Sequence, residues 1–163
     1  MTPIPAAGLL IGLLCAIWMF MMGLTGWYKD PARLNLFIVP VFVVIGGLIW
    51  GLRKTAAEGR TYTGQVVAGA TISGIAGLVI FCSSLIFTTA GFPDYFDEVN
   101  AISRETLRRQ GQTETEIQQA LDAAAPLQTP FRNALIGLAG TLVRGVVASA
   151  VIAVWVRARS SDP

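Results

Sequence analysis

One arginine stands alone in an apolar stretch: Arg144, in TLVRGVVASAV at residues 141–151. A guanidinium stays charged and presents a planar fork of N–H donors, which suits an oxyanion, a backbone carbonyl or an aromatic face. Catalysis asks for partners that this chain lacks. Ser73, Ser83 and Ser84 carry hydroxyls, but the sequence has no histidine to serve as base. Asp94, Asp97 and Glu98 cluster in one loop and could bind a cation or cap a helix, yet their spacing names no ion. Arg104 and Arg108 share a helix face suited to lipid phosphates. Cys15 and Cys82 lie in apolar runs and read as small apolar fillers. No catalytic residue, metal ligand or cofactor site emerges, and an enzyme is not expected.

The elements that hold these residues belong to a membrane. Only 13% of the chain is charged and 53% is hydrophobic, against about 25% charged in a typical soluble domain. The net charge of +2 gives no reason to expect a nucleic-acid partner. Residues 1–28, 34–52 and 61–93 are free of charge. A helix needs roughly 20 apolar residues to cross the hydrocarbon. A fourth segment is interrupted only by Arg144. Its eleven Leu, Ile and Val residues favour insertion by about 3–6 kcal/mol together, against roughly 2.5–3.5 kcal/mol for the arginine. The sequence therefore predicts an all-α, four-helix transmembrane bundle in a single domain, with spans near 6–28, 35–52, 65–90 and 134–156. The leading MTPIPAAG has no positive charge, so the first span reads as a retained anchor rather than a cleaved signal.

Four spans place both termini on one side. Arg53, Lys54, Arg60, Arg157 and Arg159 lie on that side close to span ends, which favours the cytoplasm; Lys29 and Arg33 oppose it. Trp27, Tyr28, Trp50, Tyr62 and Trp155 stand near span ends as interfacial anchors. Small residues recur every fourth position: Gly8, Gly12 and Ala16; Gly69, Ser73 and Gly77; Gly137, Thr141, Gly145 and Ser149. Such faces let backbones approach closely, so the third and fourth spans should pack through theirs. The first ladder would serve this bundle or a second copy. Pro40 in the second span frees the carbonyl of Leu36 and predicts a kink.

The loop 91–133 reads as an extracytoplasmic helical hairpin. Asn100 starts one helix that Gly111 ends in the left-handed region. TETE, at 113–116, has capping-box spacing and opens a second helix through Ala125. Glu105 and Arg109 are four apart in the favourable order. Ile117 and Leu121 form a narrow apolar stripe.

GLRKTAAEGRTYTGQVVAGATISGIAGLVI resembles the basic turn and glycine-containing third helix of the domain of unknown function 4199 family. FPDYFDEV is similar to that family's segment after the third helix, and VVASAVIAVWVRAR to its last helix and basic tail. The resemblance implies a small bacterial inner-membrane protein with four spans and no established activity. The family's fourth helix often carries a glutamate or proline near where Arg144 stands, so no role of such an acid carries over.

Two functions follow as expectations. One is a structural or accessory component of the inner membrane, whose partners are the bilayer and a membrane protein or a second copy. The other is an oligomeric transporter or channel for an anion or lipid headgroup, using Arg144. Arg144 lies near the middle of its span, too deep for its side chain alone to reach the surface. It should face the bundle interior beside Gly140 and Ala148 and hydrogen-bond to the third helix, with Ser83 and Ser84 at its depth and Trp18 slightly deeper.

Overall fold

The computed structural model describes residues 3–156, so the basic residues Arg157 and Arg159 fall outside it. α1 (Pro3–Thr25) stops before Gly26, whose φ of 66° glycine adopts without strain. A 3-10 turn (Trp27–Lys29) and a longer 3-10 segment (Pro31–Ile38) lead to α2 (Val39–Ala56). Pro40 sits in the first turn of α2, where the missing N–H breaks no bond. The kink expected within 35–52 is thus a junction: the α-helix begins at Pro40 instead of bending there.

Thr61 caps α3 (Tyr62–Ile86), its Oγ1 accepting from the Gly64 N–H at 3.4 Å. A π turn (Phe87–Gly91) extends α3, and α4 (Tyr95–Arg109) follows. α4 starts just after Pro93 and Asp94, not at Asn100. Asn100 is mid-helix, and its Oδ1 accepts from Gln128 Nε2 at 2.8 Å. Gly111, at φ 82°, separates α4 from α5 (Glu114–Ala124). The capping box is present: Thr113 Oγ1 accepts from the Glu116 N–H, and Glu116 accepts from the Thr113 N–H at 2.8 Å. Arg109 pairs with Glu105 at 2.9 Å, and Ile117 is buried. After a short 3-10 turn (Ala125–Leu127), α6 (Pro130–Val156) begins ahead of 134 because Thr129 Oγ1 takes the Arg132 N–H at 3.3 Å. The described residues form no strand. Four helices, α1, α2, α3 with its π turn, and α6, are long and apolar enough to cross a membrane.

Small residues decide how these four meet. α3 packs most extensively on α6, antiparallel to it: Gly69 meets Ser149, Gly145 meets Ser73, and Gly77 meets Leu138 and Thr141. α1 runs parallel to α3 on the other side. Gly8 faces Ile75 and Gly12 faces Val79, where an added Cβ would come within 2.7 and 2.6 Å of the neighbouring Cβ. The first ladder therefore serves this bundle. α2 leans on α1, with Gly51 against Ala7. Ala7, Ile11, Cys15, Leu48, Ile72 and Ala76 form the core. The buried residues of α2 are Leu48, Gly51, Leu52 and Thr55, all in the half near the chain termini. Its other half is free to line something else.

A larger residue in the α3–α6 seam must separate the helices. Gly145→Leu should lower the thermal midpoint in detergent, at a cost of about 1–3 kcal/mol. Gly74→Ala, whose new methyl would find only Leu142 at 3.8 Å, should leave the midpoint unchanged or raise it. Equal loss in both variants would show that the seam does not set the packing.

Candidate functional site

α2 buries residues fully only in one half, and a cavity of about 540 Å³ opens where α1, α2, α3 and α6 diverge around the other. Met19 and Met22 of α1, Val44 and Ile45 of α2 and Val147 of α6 supply apolar walls. Val143 and Val147, on its α6 side, are 64% and 60% exposed, and Ile45 opposite is 38% exposed. The mouth therefore opens sideways between α2 and α6, at the level of the apolar spans.

Arg144 is the only charged residue among the described lining. It is exposed at the rim rather than enclosed. Its Nε donates to the carbonyl of Gly140, one turn back on its own helix, at 2.9 Å. The bond expected to the third helix is not made. Residue 145 faces α3, so residue 144, about 100° around the helix, points along the flank of the seam and into the cavity mouth.

Ser83 and Ser84 are not at the depth of Arg144 either. Ser73 opposite Gly145 makes Gly74 level with Arg144, and Ser84 lies ten residues, about 15 Å, nearer the hairpin end. The early start of α6 causes the shift, because it moves α6 along α3. Ser84 is buried and its Oγ accepts from Asn133 Nδ2 at 3.3 Å. Ser83 is half-buried and does not line the cavity. Trp18 does, and its Nε1 donates to Leu36 O at 3.2 Å, the carbonyl four residues before Pro40. Asn133, Thr141 and Arg144 lie along one strip of α6 that, with Ser84 and Thr88 of α3, forms a polar track from the hairpin end toward the midplane. The hydroxyls of Thr88 and Thr141 donate to Ser84 O and Gly137 O, at 2.9 and 2.8 Å. Their oxygens keep acceptor capacity.

Aromatic rings close the cavity at the hairpin end. Phe87 stacks with Phe92 and Tyr95, at centroid distances of 4.5 and 5.4 Å, and Tyr95 with Tyr28 at 5.3 Å. A clip that the sequence did not reveal ties α4 over this cap. Tyr28, only 4% exposed, donates to Glu98 Oε2, and Lys29 Nζ meets Glu98 Oε1 at 2.6 Å. The acidic cluster thus spends Glu98 on a cation of the chain itself. Burial, then the bond to Glu98, pushes the Tyr28 phenol up, so it stays a donor at neutral pH. The Lys29 and Tyr28 hydrogen bonds hold the Glu98 carboxyl below the usual range. Arg104 and Arg108, whose shared face could meet lipid phosphates, both bind Glu114 instead, with Arg104 Nη1 at 3.3 Å and Arg108 Nε at 3.0 Å. Another pair missed from sequence, Thr55 and Gln65, joins α2 to α3 in the buried core through a 2.7 Å bond. Such long-range pairs leave no local signal.

An all-α chain of four bilayer-length apolar helices, with a cavity opening between two of them, is a multi-pass membrane protein. It belongs to the family described as Protein of unknown function (DUF4199), whose pattern matches residues 7–158. No curated protein and no solved structure matches the chain.

The clip should respond to acid. A carboxyl whose pKa is lowered by folding stabilises above its unfolded value and loses that contribution as pH falls through the lowered one. Hydrogen exchange across α4 should therefore rise in acid below the ordinary glutamate range. Glu98→Gln should exchange faster already at neutral pH and lose that acid step. An acid step unchanged in Glu98→Gln would assign it to another group.

Proposed function

We propose that this protein is a non-enzymatic accessory component of the bacterial inner membrane, with both termini in the cytoplasm, that works by holding a membrane-borne molecule. One observation carries the reading: an apolar cavity with a single cation, opening sideways at the depth of the spans. Pockets of 300–1,000 Å³ with few polar groups suit a small amphiphile. The lining offers no base beside a nucleophile, and its two threonine hydroxyls bond to backbone carbonyls. The basic residues Arg53 and Lys54 in the last turn of α2 and Arg60 in the turn before α3 support the orientation. The bilayer is the first partner, and any membrane protein it accompanies is reached through the same apolar surface.

Protein released gently from bilayer discs should carry a bound molecule by native mass spectrometry. Val44→Trp, which fills the cavity from α2, should lose it while keeping its helicity. Equal retention in both proteins would overturn the cavity reading. A fluorescent protein fused to the C-terminus should light up inside the cell; an active alkaline phosphatase fusion at the same point would reverse the orientation.

A further inference from the structure

We propose that the cavity binds the headgroup of an anionic phospholipid, drawn from the leaflet on the hairpin side, with its phosphate on the terminal nitrogens of Arg144. This rests on the cavity reading above and names its occupant. Nε of Arg144 is engaged by Gly140 O, and Nη1 and Nη2 have no acceptor among the described residues. Those two nitrogens form the fork that takes two oxygens of a phosphodiester.

Charge selects the headgroup. The described lining holds one cation and no carboxylate. A zwitterionic headgroup would bring a second cation with no anion to meet it. A monoanionic phosphodiester bearing hydroxyls leaves the site neutral. Its hydroxyls can find acceptors in Thr88, Asn133 and Thr141, which line the cavity from α3 and α6 and whose side-chain oxygens keep acceptor capacity.

Access selects the source. The aromatic cap of Tyr28, Phe87 and Tyr95 closes the end toward water. The open side lies between α2 and α6, where Ile45, Val143 and Val147 face lipid. A headgroup enters there along the polar track while its acyl chains stay in the bilayer. A free phosphate would have to pass the cap.

The test uses full-length protein in bilayer discs of phosphatidylcholine with a minor share of phosphatidylglycerol, followed by native mass spectrometry of the released protein. Wild type should retain one phosphatidylglycerol in preference to phosphatidylcholine by about tenfold or more, the range of a charge-assisted hydrogen bond. Arg144→Leu removes a charge from an apolar span, so it should insert and fold, and its preference should vanish. Arg144→Lys should keep part of it. Millimolar inorganic phosphate should not displace the lipid. Equal retention of the two lipids, an undiminished preference in Arg144→Leu, or displacement by phosphate would each overturn the assignment. If wild type holds phosphatidylcholine equally and Val44→Trp expels it, the cavity reading stands and the anion assignment falls. If Val44→Trp changes nothing, both fall.

Discussion

The close approach of α3 and α6 governs the rest of the molecule. In hydrocarbon, helices gain little from burying apolar side chains, so contact depends on backbones meeting closely. Gly69 against Ser149 and Gly145 against Ser73 permit that approach at two successive turns. Antiparallel helices locked at two points have one register. That register decides which α3 residue stands opposite each α6 residue, and so where every polar group on α6 falls. Arg144 is placed by its neighbour: with Gly145 turned into the seam, the residue before it must lie on the flank.

The flank is open because α2 does not follow α6 along its whole length. Pro40 prevents the helix from starting earlier, and the chain approaches through a 3-10 segment instead. Trp18 satisfies the Leu36 carbonyl there. α2 then buries Leu48, Leu52 and Thr55 fully, while its first turns touch the core only partly, through Val43 and Val44. The cavity is the space left by that divergence. The aromatic cluster and the Tyr28–Glu98–Lys29 clip cover only its end, and its side stays open to lipid.

Local signals were legible in the sequence and relative positions were not. The spans, the capping box at Thr113 and the left-handed turn at Gly111 follow from patterns a few residues long. The small-residue ladders showed which faces are narrow, but not that Gly8 and Gly12 lie on α3 of the same chain. Pro40 was read as a kink inside the span and instead marks the start of α2, since its effect depends on where the helix begins. Asn100 has capping chemistry, yet Pro93 and Asp94 set an earlier start. The depth assigned to Ser83 and Ser84 failed for a similar reason: it assumed that two apolar segments end level, and an N-cap at Thr129 moved one of them. Glu98 found Lys29 across 69 positions, a distance at which no sequence pattern carries information.

Arg144 is the group whose energetics remain open within the protein. Its neighbours in the span offset the cost of inserting it, roughly 2.5–3.5 kcal/mol at a helix centre. That balance refers to an arginine that satisfies its donors by snorkelling or by water. Here one donor reaches Gly140 O, and the terminal nitrogens face the cavity mouth. A helix selected only to span would be more stable with leucine at this position. An arginine there stabilises the assembly only when something supplies acceptors to those nitrogens. α3 does not: the one bond Arg144 makes among the described residues is to its own helix, and Ser73, level with it, is turned into the seam against Gly145. The acceptor must come from outside the chain, by the one route the helices leave open, between α2 and α6.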